Sequence, residues 1–389
     1  MDSIYDLVSA SAIVGYVDET IYSNELPMLG EALFPRKKKL GLDLAWFKGY
    51  NLVPVSLMPS AFDAKPTIRD RIGLSRIETE MPFFREAMRL GEKDRQEILK
   101  FQGANNVPYL QQELDKILDD RAQLVAGADV VPERMRMSLL VEGRIHIQAP
   151  DESGITANYD YNYDPTGEWA DKNTFDLTES NVPGFGPAWS DTENSRPILD
   201  LIFLKRKAQM TKGTRITRGI MTSATWALLL ASKQIQNDLN PENPNAIITD
   251  ADLENYLFRK IGIRFTLNDK IYKTEEPLRQ DRQYYPNGYI TLLPEGTLGN
   301  TYYGTTPEEA DLMAGNVDAD VAITGVGIAV LTKKESLPVN IITSVSQIVL
   351  PSFERMDSVY TIKVADMKDD PAGMLPEGDG ADIYGQFNV

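Results

Sequence analysis

Three places in the sequence carry side chains whose types and spacing could do chemistry. GNTYYGTT, residues 299–306, has the glycine spacing of a phosphate-binding loop, with Thr305 where that motif carries lysine. Backbone N–H groups could cradle phosphates there, but Thr305 supplies no positive charge for the terminal ones. The TPEEADLM that follows sets Thr306 as a helix cap, with Pro307, Glu308 and Glu309 in the first turn and Glu309 closing a capping box. Two carboxylates at that place repel a triphosphate, so a glycine turn leading a strand into a helix is expected, not a nucleotide site. Asp160, Asn162 and Asp164 stand at every second position, like the first oxygen ligands of a calcium loop. The pattern then fails, with Pro165 where glycine is needed and Asp171 where a glutamate is needed. Tyr159, Tyr161 and Tyr163 alternate through the same run and predict a strand. His146 is the sole histidine, and in GRIHIQ it alternates with Ile145 and Ile147 as in a half-buried strand, where a structural role is expected. These residues therefore predict no catalytic, cofactor-binding or metal-binding residue. The rival reading, a hydrolase built on the carboxylates at 160–171, rests on that run alone.

Composition narrows the function further. Against 57 acidic residues stand 40 basic ones, a net charge of −17, so charge does not recommend nucleic acid or an anionic membrane as a tight partner. The chain has no cysteine, which excludes disulfides, thiolate nucleophiles and sulfur-bound zinc and points to a reducing compartment. The start, MDSIYDLVSASAIVGYVDE, is acidic where a signal peptide is basic, and ATWALLLAS falls short of the ~18 apolar residues of a membrane span. A soluble chain, neither secreted nor anchored, is expected. With 389 residues, 42% of them hydrophobic, about two domains are expected.

The elements that must position these residues follow from periodicity. Residues 1–35 carry short helical patterns with apolar Ile4, Leu7, Val8, Leu29, Leu33 and Phe34, too little for a core, and predict an arm docked on something else. PRKKK predicts a solvated face or turn, or a site for an acidic partner, and LGLDLAWF a strand. The proline-rich stretch from Asn51 to Phe84 predicts a long extended hairpin or loop. NNVPYLQQELDKILDDRAQLVAG predicts an amphipathic helix, with Leu110, Leu114, Ile117, Leu118, Leu124 and Val125 on one face. After ADVVP a second helix, ERMRMSLLVEG, is predicted to end on Gly143, followed by the strand RIHIQ. Residues 155–195 are polar, aromatic and rich in turn formers. Residues 197–293 alternate helix and strand, with SATWALLLASKQIQNDL as one helix and TDADLENYLFRKIG as a capped one. Long strands return from Ala319 to Ala365. Beyond Val364, six carboxylates meet Lys368 alone, a composition that predicts disorder, with Met374, Leu375, Ile383, Tyr384 and Phe387 as apolar anchors.

Four stretches in this order resemble the major capsid proteins of tailed bacteriophages, specifically the lambda-like capsid protein E family. They are ALFPRKKKLGLDLAWFKGYNLVPVSLMPSAFDAK, ERMRMSLLVEGRIHI, PNGYITLLPEGTLGNTYYGTTPEEADL and LPVNIITSVSQIVLPSFERMDSVYTIKV, within residues 28–364. The acidic tail and the polar insert at 165–195 depart from the family pattern. The resemblance implies an α+β, Hong Kong 97-like phage capsid fold: an N-terminal arm and lead-in strand at 1–50, an E-loop at 51–82, and the first part of a P-domain with its spine helix at 83–195. It further implies an A-domain at 196–316 that holds GNTYYGTTPEE, returning P-domain strands at 317–365 and an acidic tail at 366–389. It implies a structural protein, not an enzyme, that self-assembles as pentamers and hexamers into an icosahedral head around double-stranded DNA touched only weakly. Scaffolding protein, portal and a decoration protein are its further expected partners, without membrane or cofactor. Localisation in the virion, after assembly in the host bacterial cytoplasm, is implied as well. An encapsulin-like cargo compartment of the same fold is the alternative. Arm, hairpin and tail cannot bury their apolar residues within one monomer, so neighbouring copies are expected to cover them in interfaces of roughly 2,000 Å² or more.

Overall fold

The computed structural model describes residues 9–20, 28–48, 75–103, 107–150, 156–179, 182–242, 248–273, 281–315, 319–336 and 339–367. Most of the expected E-loop, 51–74, and the tail from 368 onward lie outside them. The chain divides into two compact units. The first takes the described residues of Met1–Trp46, Ile77–Arg136 and Gly299–Ser352, and the second those of Phe47–Arg76, Met137–Leu298 and Phe353–Val389.

Along the chain, α1 (Ala10–Thr20) and α2 (Leu29–Leu33) precede β1 (Arg36–Lys38), and β2 (Asp43–Lys48) forms a two-stranded sheet with β3 (Ser75–Glu80). β4 (Phe83–Leu90), α3 (Glu92–Gly103) and α4 (Val107–Glu142) follow. Next come β5 (Arg144–Pro150), β6 (Thr156–Asn162), α5 (Glu168–Asn173), β7 (Thr174–Asp176), α6 (Pro197–Lys212) and β8 (Ile216–Met221). Then α7 (Ser223–Ala231), α8 (Lys233–Leu239), α9 (Asp250–Ile261), β9 (Arg264–Leu267), β10 (Ile271–Lys273), β11 (Asp281–Gln283) and β12 (Tyr289–Pro294). The last elements are β13 (Thr301–Tyr303), α10 (Pro307–Ala314), β14 (Asp320–Thr324), β15 (Ile328–Ser336), β16 (Val339–Pro351) and β17 (Tyr360–Lys363).

The first unit is built on β16. Its run VNIITSVSQIVLP is rich in β-branched residues, which suit a strand paired on both edges. Antiparallel β15 and β4 flank it over Ile341–Ser346, and β13 pairs with its end, extended in parallel by β1. Alternation turns Ile341, Thr343, Val345 and Gln347 toward α4. On α1, Ala10, Ile13 and Val17 recur at helical spacing and are fully buried against Val125, Ala128, Ile328 and Val345. The Ala10 N–H donates to the Asp320 carboxylate at 2.7 Å. This part of the expected arm is therefore covered by its own chain, while Ile4, Leu7 and Val8 lie outside the described residues.

The two helices expected on either side of ADVVP are one, a 36-residue α4 that runs through Pro132. The proline lacks the donor for the carbonyl four residues back, but its ring does not end the helix, because packing persists on both sides: Val125 and Ala128 before it, Met135 and Leu139 after it, are all buried.

In the second unit, a five-stranded mixed sheet runs in the order β7, β17, β12, β8, β9. Its core takes Trp189, Leu204, Ile216, Leu229, Leu257 and Ile290. Helix α9 has the expected caps: Thr249 and Asp252 form a capping box, and Gly262 ends the helix at φ 68°. The single helix expected from Ser223 to Leu239 breaks at Ser232, whose ψ of 123° closes α7 and opens α8. β5 and β6, each expected as a strand, pair with one another, with Ile145 opposite Tyr161 and His146 opposite Asp160.

Candidate functional site

Where a phosphate cradle needs free backbone donors, residues 299–304 spend theirs on the sheet. The Asn300 N–H donates to Ser352 Oγ at 3.0 Å, the Thr301 N–H to the Pro35 carbonyl at 2.9 Å and the Gly304 N–H to the Ile348 carbonyl at 2.8 Å. The glycines serve close approach. A Cβ on Gly299 would lie 2.0 Å from the Ser352 carbonyl oxygen, and one on Gly304 2.6 Å from the Ile348 side chain. The stretch lies in the first unit, with α4 as far as Arg136.

At the start of α10, Thr306 Oγ1 accepts the Glu309 N–H at 3.3 Å, as its cap position predicts. The Glu309 carboxylate turns to the Lys38 ammonium instead of closing the box. Glu308 binds the Arg85 guanidinium and accepts from Ser346 Oγ at 2.8 Å. Both glutamates are buried, so the acidity read as repelling phosphate is spent on joining α10 to β1, β4 and β16.

A second ionic cluster fixes α4. Arg36 binds Glu31 through two nitrogens at 2.9 Å each and reaches Asp129 at 3.1 Å. Burial opposes its charge, but Tyr303, Asp129 and Glu31 outweigh that and hold its pKa above the ordinary arginine value. Glu133 accepts the Gly30 N–H at 2.9 Å and the Arg136 Nη1–H at 3.1 Å, while Arg136 Nε donates to Thr301 Oγ1 at 2.9 Å. Arg36 and Lys38 of PRKKK thus meet carboxylates of their own chain, while Lys37 is exposed. Sequence reasoning missed Asp129, Glu133 and Arg136. Charged residues at 129, 133 and 136, one helical face of an otherwise apolar stretch, were the available signal.

The side chains of the acidic run at 160–164 are engaged by nearby partners. Asp160 is exposed and pairs with Arg144, whose hydrogen bond keeps the Asp160 pKa below the ordinary aspartate value. Asn162 Oδ1 accepts the Asp164 N–H at 2.8 Å, and Asp164 Oδ2 accepts the Trp169 and Ala170 N–H groups at 2.9 Å each, fixing the start of α5. Asp171 is exposed on α5 and His146 on β5. Among the described residues, no three metal-ligating side chains converge, and no helix is long and apolar enough to cross a membrane.

A long helix packed on a long-stranded sheet, with a mixed α/β unit in the same chain, is found in the Hong Kong 97-like phage capsid fold. The solved structure described as the capsid protein of a prophage of E. coli CFT073 is 13% identical and covers 92% of this chain and 99% of its own, with a TM-score of 0.53. A phage-related protein from Bordetella bronchiseptica RB50 is 11% identical over 92% and 98% of the two chains, with a TM-score of 0.49. The capsid of cyanophage A-1(L) is 15% identical over 87% and 92%, with a TM-score of 0.45. No curated protein sequence matches the chain. The family model described as phage major capsid protein E matches residues 20–364, and the chain belongs to that family. Its role is that of a structural capsid shell protein of a tailed-phage virion.

Proposed function

We propose that the chain assembles as pentamers and hexamers into the icosahedral head that encloses phage double-stranded DNA, and that none of its residues is catalytic. The observation that carries this reading is the family match from residue 20 to residue 364, a span that takes in residues of both units. The net charge of −17 suits a wall that must hold packaged DNA without binding it tightly. In this proposal the first unit is the P-domain with α4 as spine helix. The second contains the A-domain, and the β2–β3 pair is the base of the E-loop. Leu40 and Met313 in the first unit and Met210 in the second, between 67% and 79% exposed, offer apolar contacts for neighbouring copies. Scaffolding protein, portal and a decoration protein act on this shell, which assembles in the host bacterial cytoplasm, and the acidic tail from 366 clips one subunit to another.

The test is to image particles purified after expression with the phage's head genes and to extract their contents after nuclease treatment. Icosahedral particles holding protected double-stranded DNA are expected. Particles holding only a protein cargo would transfer the chain to a compartment shell, and absence of any particle would refute the reading.

A further inference from the structure

Pro132 removes from α4 the N–H that would serve the carbonyl of Ala128, and a donor from another element takes its place. Gln347 on β16 donates Nε2–H to the Ala128 oxygen at 2.6 Å. Both residues are buried, at 2% exposure for Gln347 and 9% for Ala128, so bulk water is not an easy substitute donor. Gln347 Oε1 is buried with no hydrogen-bond partner among the described residues, so within that set this donation alone orients the amide. On both sides of the proline, α4 is tied to other elements: Asp129 to Arg36, Glu133 to the Gly30 amide, Arg136 to Thr301.

We propose that Pro132 is a built-in bending point of α4 and that Gln347 is the latch that holds the helix straight across it. A proline is the commonest cause of a sharp helix kink, because the ring crowds the preceding turn and the ladder has a gap. With the amide seated, the gap is filled and bending would cost a buried hydrogen bond. With the amide withdrawn, the Ala128 carbonyl gains by tilting toward another donor, and the helix yields there. The latch residue sits on β16 between β4 and β15, so a shift of that strand relative to α4 is what would unseat it.

The chain has no cysteine, so two introduced ones can be labelled cleanly. Nitroxide spin labels at Gln123 and Glu142, both exposed on α4, bracket the proline across 142 − 123 = 19 residues, or about 28 Å. In the full chain a single narrow distance distribution is expected. Gln347→Leu should broaden it and speed hydrogen exchange of the amides flanking Pro132 about tenfold, the scale of one lost buried hydrogen bond. Pro132→Ala with Gln347→Leu should restore the narrow distribution and exchange within about twofold of the parent, because an alanine in place of the proline supplies the missing backbone donor. Should Gln347→Leu fail to fold while the double variant folds, the latch is equally supported. Unchanged distances and exchange in Gln347→Leu, or a double variant as loose or as unfolded as the single one, would overturn the proposal and leave Gln347 as packing.

Discussion

Arg136 on α4 donates its Nε–H to Thr301 Oγ1 on β13 at 2.9 Å while its side chain is 1% exposed, and Thr301 Oγ1 in turn donates to the Phe34 carbonyl at 2.9 Å. One guanidinium thus joins the long helix to the strand that follows the GTLGN turn and to the end of the N-terminal segment. Arg136→Met should lower unfolding stability by about 3–5 kcal/mol in urea titration, because it leaves Glu133 buried without its countercharge. Adding Glu133→Gln should recover part of the loss. A loss below about 1 kcal/mol for the single variant would remove the clamp from the account.

Residues 299–306 should bind no nucleotide. Calorimetric titration with ATP or GTP is expected to show no heat of binding, and micromolar affinity would contradict the assignment. Gly304→Ala should lower stability by about 1–3 kcal/mol through overpacking against Ile348, and Gly299→Ala by at least as much, since its Cβ would meet the Ser352 carbonyl and not a side chain that can turn away. Full stability of both variants would show that the glycines are incidental.

On α1, Ile13→Ala should cost about 2–4 kcal/mol because the side chain is fully buried. The loss should be independent of protein concentration, since the groove of Val125, Ala128, Ile328 and Val345 belongs to the same chain. A cost that appears only at concentrations where copies associate would mean that α1 docks on a neighbour.

In the second unit, Asp200 accepts the Gly186 N–H at 2.8 Å and the Trp189 indole N–H at 3.0 Å, yet burial raises its pKa despite these bonds and despite Arg196. Its folded pKa lies above the unfolded value, so the folded state binds the proton more readily between the two. The contribution linked to this proton is therefore full below the unfolded pKa, near 3.8, and is lost as pH rises through the folded one. The stability of the parent relative to Asp200→Asn should rise as pH falls through that window, measured by urea titration at several pH values. A difference that falls or stays flat over the same range would reverse the assignment.

What the sequence made legible was what local pattern decides. The apolar face of α4 at Ile117, Leu124 and Val125, the caps of α9, the Thr306 cap and the alternation through Ile145 and Tyr161 appear at their expected places. What it hid depends on partners distant along the chain. Pro132 reads locally as a break, because the donor that bridges it, Gln347, lies on a strand near the other end of the sequence. The first glutamates of α10 read as a capping box and a repulsive patch, because Lys38 and Arg85 come from β1 and β4. The arm read as uncovered, because its groove is assembled from α4, β15 and β16 together.

The measurement that bears most directly on the central claim is sedimentation of the purified full chain over a wide concentration range, with electron microscopy of the same samples. Pentamers, hexamers or closed shells are predicted, because a capsid subunit leaves surfaces that only copies of itself complete. A stable monomer of 43.5 kDa at every concentration, with no particles in the images, would contradict the account.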